Sequence, residues 1–286
     1  MRRAPLRLGA VAYDPKVVTI WDGFRTWLTG AGLGFDYVLF SNYEALVDAH
    51  LAGQVDVSWD SPLAWVRLRR AATADGRACT GVVMRDTDRD LTSVVVSRAG
   101  ANIDAPADLA GRAVATGSVD SPQARLLPVA HLASQLGVDV AAIDTIRFDA
   151  APGTHGDNVG GERDALRAML AGEADAACLL DASLLLFARE GWFDPRSVVT
   201  VCRTDPFDHC ILAVLDGADS ADSAKLGELL CAMSYDDSEA RRLLDLEGLR
   251  QWLPARTSGF GALESAVDSL GFYGPGGEIT ADDYDY

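Results

Sequence analysis

The sequence predicts an α/β protein of two lobes, each an open mixed sheet flanked by helices, joined by two hinge crossings. Three observations predict it. Strand-like runs rich in β-branched residues alternate with helix-like runs along the whole chain, the pattern of open α/β sheets. One segment recurs: Leu51-Ala52-Gly53-Gln54-Val55-Asp56-Val57 is echoed by Leu170-Ala171-Gly172-Glu173-Ala174-Asp175-Ala176. The echo keeps a helix stop, a short polar turn, an apolar strand and an acidic strand end in order, so it points to two lobes of similar construction. Finally, 91–97 and 198–203 read as strands able to cross between lobes, which makes the middle stretch an insertion. The predicted lobes are 1–94 plus 206–286, and 95–205.

The elements follow in order. The first strand covers 6–12 and ends at Tyr13-Asp14-Pro15. An amphipathic helix at 17–28 carries Trp21, Phe24 and Trp27, and Gly30, Gly32 and Gly34 mark its exit. A strand at 35–40 runs into Ser41-Asn42, a cap for the helix 43–52 that Gly53 stops. The third strand, Val55-Asp56-Val57-Ser58-Trp59, leads into Asp60-Ser61-Pro62. Past the first crossing, a short helix at 103–111 precedes a strand at 112–116, and a longer helix spans 122–137. A strand at 143–148 leads to a polar loop, 151–161, that holds His155. The helix 162–171 precedes the echo, and Asp181-Ala182-Ser183 opens another helix. After the second crossing come a strand at 210–215 and helices at 221–233 and 238–246. The tail Asp282-Asp283-Tyr284-Asp285-Tyr286 is expected to fray.

Composition narrows the function class. A hydrophobic content of 49% against 23% charged residues describes a soluble globular chain with ample core. No uncharged apolar run is long enough for a membrane span. The net charge of −17 makes nucleic acid and anionic membrane poor partners. Cys79, Cys178, Cys202, Cys210 and Cys231 show no Cys-x-x-Cys spacing, and they read as reduced, mostly buried thiols. The Met1-Arg2-Arg3-Ala4-Pro5 start lacks a secretory h-region, so the expected location is cytoplasmic, or periplasmic or extracellular if a leader was removed. A transporter partner follows only in the exported case.

A tripeptide organises the candidate site. Asp60-Ser61-Pro62 and Asp120-Ser121-Pro122 each follow a strand and open a helix. Serine accepts a first-turn amide, and proline fits the first helical position, where its missing N–H costs nothing. Turns from a strand's carboxyl end into a helix are where α/β sheets bind ligands. Ser61 and Ser121 therefore read as helix caps, as ligand donors, or as both. Asp60 and Asp120 either offset their own helix dipoles or bind a cationic group or metal. Tyr13 and Asp14 are positioned to reach the same cleft, and Asp181 either faces it or caps the helix after it. His155, in a Gly- and Asn-containing loop, reads as a site residue. His50 and His131 read as structural. Asp208-His209-Cys210 has no second ligand pair of standard spacing, so no metal site is predicted.

These features in sequence resemble the phosphate/phosphonate-type substrate-binding components of ABC importers, over roughly 6–215. The matching stretches are 51–59, the crossing run 91–97, Asn102 to Arg112, Thr116-Gly117-Ser118, Thr154-His155-Gly156 and 170–177. The resemblance implies the type 2 periplasmic-binding-protein fold, in a divergent cytoplasmic member. It also implies an oxyanion head resting on the helix start near Ser118, with the histidine at His155 assisting. Two departures bear on the ligand. Val119-Asp120-Ser121-Pro122 replaces the family's run of small hydroxyl residues, and Asp60 stands where an aromatic hydroxyl is expected. Both add negative charge, and an unpaired carboxylate about 4 Å from a dianion opposes binding by about 4 kcal/mol per unit charge.

The resulting expectation is a receptor that closes two lobes over a small polar, oxyanion-bearing or zwitterionic metabolite. The alternative is a cytoplasmic enzyme on the same fold, a lyase, dehydratase or rearrangement catalyst using His155, Asp120 and Asp60 as acid and base. No cysteine-rich iron motif, phosphate-binding lysine loop or nucleophile elbow specifies a cofactor or a reaction.

Overall fold

Leu6, Leu8 and Ala10 are buried along the first strand, β1 (Leu6–Val11), and β1 pairs in parallel with β2 (Phe35–Phe40) in register from Leu6–Phe35 to Val11–Phe40. The computed structural model describes residues 4–217 and 220–286. It divides into two units. The first holds the chain up to Arg89 with Asp208–Phe260 and Tyr273–Ile279, and the second holds Asp90–Phe207, Gly261–Phe272 and Thr280–Tyr286.

In the first unit, α1 (Lys16–Gly30) connects β1 to β2 and buries Val17, Ile20, Trp21, Phe24 and Leu28, spaced as one helical face. Burying five such side chains contributes about 10 kcal/mol gross. The helix α2 (Tyr43–Leu51) starts on Asn42, whose side chain accepts from Ala45 N at 2.7 Å, and leads into β3 (Val57–Asp60). After α3 (Pro62–Ala74) comes β4 (Cys79–Arg85), a strand the sequence reading leaves unassigned. With β10 (Ile211–Leu215) and β11 (Trp252–Pro254) it completes a six-stranded sheet of order β11-β4-β10-β3-β1-β2. β1, β2 and β3 are mutually parallel, whereas β10 runs antiparallel to both β3 and β4. Trp59, Trp252 and Phe24 meet edge to face at 5.4 and 5.9 Å in the core beneath the sheet. Helices α7 (Ser220–Cys231) and α8 (Ser238–Glu247) add Leu226, Leu230 and Leu244 to that core.

The second unit repeats the plan. Its five-stranded sheet has the order β7-β6-β8-β5-β9, with β5 (Ser93–Arg98), β6 (Val114–Thr116), β7 (Thr145–Arg147), β8 (Ala176–Leu180) and β9 (Val198–Arg203). β8 pairs parallel with β6 and antiparallel with β5, as β3 pairs parallel with β1 and antiparallel with β10. The echoed heptapeptide therefore marks topologically equivalent positions. α5 (Gly160–Ala171) stands to β8 as α2 stands to β3, and both helices end just before a glycine at positive φ, Gly172 and Gly53. α6 (Asp181–Arg189) follows β8 directly.

Three sequence expectations need correction. The predicted helix 122–137 begins with a π-helical turn at Pro122–Leu126 before α4 (Leu127–Leu136). Pro128 has no N–H to give the Ala124 carbonyl, which accepts from Gly117 N at 3.0 Å instead, while Leu126 N reaches back to Ser121 O at 3.0 Å. The C-terminal part of the predicted first lobe is shared: 261–272 and 280–286 belong to the second unit, because α9 (Gly261–Ser269) packs on α4. The chain consequently passes between units at 260/261, 272/273 and 279/280, besides 89/90 and 207/208. Nor is the tail frayed. Asp283 pairs with Arg147, and Tyr284 stacks on Phe272 at 5.0 Å and on Tyr286 at 5.1 Å.

Candidate functional site

Nearly every candidate residue sits at the carboxyl end of one of four strands. Tyr13 and Asp14 follow β1, Asp60 ends β3 with Ser61 next, Ser118 to Ser121 follow β6, and Asp181 follows β8. His155 lies in the loop between β7 and α5. The two Asp-Ser-Pro copies are not counterparts of one another. One follows β3, whose equivalent is β8, and the other follows β6, whose equivalent is β1.

Both serines cap. Ser61 Oγ accepts from Ala64 N at 3.1 Å and Ser121 Oγ from Ala124 N at 3.1 Å, with a proline in the first turn each time. The aspartates differ. Asp120 Oδ2 accepts from Gly153 N at 2.6 Å and from His155 N at 3.0 Å, so this carboxylate holds the loop that carries His155. That loop needs the anchor, since Ala151 and His155 have φ of 50° and the segment turns back on itself. Asp120 Oδ1 is buried and has no hydrogen-bond partner. Asp60 is fully buried with neither oxygen hydrogen-bonded. Burial pushes its carboxyl up to about 7, with the Ser58 hydroxyl pulling partly back.

Of the remaining candidates, Tyr13, Asp14 and Asp181 are less enclosed. Asp14 is exposed and accepts from Lys16 N at 2.8 Å, and Lys16 Nζ stands 5.7 Å over the Tyr13 ring. Asp181 pairs with Arg203 beside Thr92, which makes it part of the β8–β5–β9 edge. Ser118 is buried, and its carbonyl accepts from Ser121 N at 3.0 Å to close a tight turn.

Sequence reasoning missed two polar residues behind this turn. Gln123 donates to Gly156 O at 2.9 Å and to Glu162 Oε1 at 3.4 Å, and its own Oε1 is a second buried acceptor without a partner. Glu162, in the first turn of α5, accepts from Leu180 N at 3.1 Å and so ties the end of β8 to the β6 turn. Burial pushes its carboxyl up to about 7, and bonds from Ser183, Leu180 and Gln123 offset part of that. A signal existed only for Gly156. Its φ is +80°, and a Cβ there would lie 2.5 Å from Ser121 Oγ and 2.7 Å from Gln123 Nε2, so only glycine fits.

Among the described residues one trio has metal-ligand character: Asp88, His209 and Cys210, buried, with ligand atoms within 4.8 Å of one another. Arg85 already holds Asp88 in a two-pronged pair at 2.7 and 2.8 Å, and Asp208 is held likewise by Arg256 at 2.6 Å twice. A divalent ion beside Asp88 would face a buried guanidinium, so the trio is built around Arg85 rather than a cation.

Solved structures of the same fold share this architecture. PhnD1 of Prochlorococcus marinus, in complex with methylphosphonate, has 16% identity and a TM-score of 0.68, over 93% of this chain and 98% of that one. A Xanthomonas citri protein bound to ATP reaches a TM-score of 0.72 at 15% identity, over 94% and 98%. The binding-protein component of an ABC phosphonate transporter from Pseudomonas aeruginosa gives 0.62 at 12%, over 94% and 87%. No curated protein matches the sequence. Nothing in these comparisons supports the enzyme alternative or a cytoplasmic offshoot. With residues 10–260 matching its model, the chain belongs to the family of periplasmic substrate-binding proteins of phosphonate ABC transporters.

Proposed function

We propose that this chain is the receptor of an ABC importer for a small metabolite bearing both an oxyanion and a cationic group, delivered to the membrane components of that importer. One observation carries the zwitterion reading. In the β6 turn, hydroxyl donors (Ser118, Ser121) lie beside two buried acceptors without partners, Asp120 Oδ1 and Gln123 Oε1. A plain dianion would use the donors and leave both acceptors desolvated and unpaired, which costs about 1–3 kcal/mol each. A ligand that also carries N–H groups satisfies both kinds. This divides the labour within one turn: hydroxyls and helix start toward the oxyanion, carboxylate and amide oxygens toward the amine.

The test is thermal stabilisation and calorimetry with aminomethylphosphonate, methylphosphonate, inorganic phosphate and methylammonium. The expected order is aminomethylphosphonate tightest, with stabilisation of about 2.7 kcal/mol at a hundredfold excess over its Kd. Equal or tighter binding of methylphosphonate would overturn the zwitterion reading. Binding of none of the four would overturn the receptor assignment for this ligand class.

A further inference from the structure

Helices α4 and α9 pack on one another in the second unit, yet small residues face each other across their contact. Ala130 and Ser134 on α4, and Ala262, Ser265, Ala266 and Ser269 on α9, recur at three- and four-residue spacing, so each set lies on one helical face. None of these side chains is longer than serine's, and the gap between the two faces stays open. The result is a crevice of about 310 Å³, whose lining is completed by Leu127, His131 and, just past β9, Thr204 and Asp205. That volume falls at the lower end of small-molecule sites, about 300–1,000 Å³. Every residue lining it belongs to the second unit.

The polar groups of the crevice are mostly acceptors. Ser265 Oγ donates to Gly261 O at 3.1 Å and Ser269 Oγ to Ala266 O at 3.1 Å, so both hydroxyl protons are committed to the helix backbone and only lone pairs are left for the crevice. Asp205 is exposed, and its carboxylate has no hydrogen-bond or ion-pair partner among the described residues. From α4, His131 brings an imidazole, which offers one acceptor nitrogen in its neutral form. Ser134 and Thr204 add hydroxyls of either sense. Among the described residues, no arginine or lysine lines the crevice.

We propose that this crevice is a second binding site, sharing no residue with the β6 turn, for a primary alkylammonium whose charge Asp205 balances. The inference goes beyond the importer reading and does not rest on it. An ammonium carries three N–H donors, which suits acceptors supplied by three elements, α4, α9 and the end of β9. Leu127, Ala130, Ala262 and Ala266 give its alkyl stem an apolar bed. An anion would meet Asp205 with no cation to offset it. A quaternary ammonium has the charge but no N–H to give. The occupant also braces α9, since the crevice exists only while α9 is docked on α4.

The experiment is an amide NMR titration of the full chain with n-butylammonium chloride, against tetramethylammonium chloride and sodium butyrate at equal ionic strength. The expected result is saturable shifts grouped at 130–134, 204–205 and 262–269, with tetramethylammonium and butyrate each at least about tenfold weaker. Equal binding of tetramethylammonium would reduce the effect to general attraction by a chain of net charge −17 and overturn the site. Equal binding of butyrate would overturn the ligand class. Asp205→Asn should weaken n-butylammonium at least about fivefold, and an unchanged affinity removes the counter-ion and the proposal with it. Ala262→Leu fills the crevice from an exposed position without touching a charge, so the grouped shifts should vanish; if they persist, the amine sits elsewhere. With n-butylammonium at a tenfold excess over its Kd, hydrogen exchange of the α9 amides should slow about tenfold, and unchanged exchange would overturn a site between the helices. Shifts at Ser118 and Ser121 report the β6 turn separately, so failure of the zwitterion reading leaves this result standing, and the reverse.

Discussion

Replacing Asp120 with asparagine tests whether that carboxylate belongs to the ligand or to the loop. In the structure Oδ2 accepts two backbone amides, Gly153 N at 2.6 Å and His155 N at 3.0 Å, inside the protein. Bonds to a charged acceptor are worth about 1.5–3 kcal/mol each, against about 1 kcal/mol for a neutral one. An asparagine oxygen in place of Oδ2 keeps both contacts at neutral strength, a loss of about 1–4 kcal/mol. Its amide nitrogen would replace Oδ1, a buried position where Arg125 is close enough to feel the Asp120 charge, so the added donor gains nothing there. The expected result is a destabilisation of about 2–3 kcal/mol in urea unfolding monitored at the second unit, with Asp120→Ala costing about 3–6 kcal/mol because both amides are then orphaned. Hydrogen exchange at Gly153 and His155 should accelerate in step with the lost stability. If Asp120→Asn unfolds within about 0.5 kcal/mol of wild type, the anchoring argument is wrong, and a tenfold loss of aminomethylphosphonate binding would leave the proposed Oδ1 contact as the whole role of Asp120.

Gly156→Ala should destabilise the second unit by at least about 2 kcal/mol, because it combines a φ of +80° with a Cβ 2.5 Å from Ser121 Oγ; a melting temperature equal to wild type would show that the β6 turn yields. Glu162 has a folded-state carboxyl raised to about 7 from 4.5, so it costs nothing below pH 4.5, progressively more between, and its full penalty, on the order of a few kcal/mol, above 7. The stability of wild type relative to Glu162→Gln should therefore fall as pH rises through that window, and a flat difference from pH 4 to 8 would contradict the burial argument. Arg67→Met leaves the fully buried Glu44 without its guanidinium at 2.9 Å and should cost about 3–5 kcal/mol, most of it recovered by Glu44→Gln in the same chain; no recovery would mean the loss came from Arg67's other bonds, to Gly277 O, Glu44 O and Asp48.

The Asp-Ser-Pro tripeptides show what a sequence of this kind discloses. Their serines and prolines act within four residues, on amides of the helix they start, so the capping at Ser61 and Ser121 is readable from the string itself. The echoed heptapeptide is readable for a related reason: a helix stop and a strand of fixed polarity are local, and they recur at β3 and β8 because the same sheet position makes the same demand. Aspartate has no such local requirement. Asp120 finds its partners at Gly153 and His155, more than thirty residues on, whereas Asp60 finds none, and nothing in Asp-Ser-Pro tells the two apart. The same limit hid Gln123 and Glu162, whose significance lies in Gly156 and Leu180. It also hid β4, where the pleated alternation is broken: Gly81 stands where a side chain would lie 2.5 Å from Ile211 Cδ1. Charge is therefore the weakest guide when read residue by residue. The two acids that argued equally against an oxyanion have opposite structural roles, one spent on the protein's own amides and one left unspent. For the unspent one, Asp60, the burial that leaves it without a partner also raises its carboxyl to about 7, so the fold itself weakens the negative charge that the sequence assigns to this position.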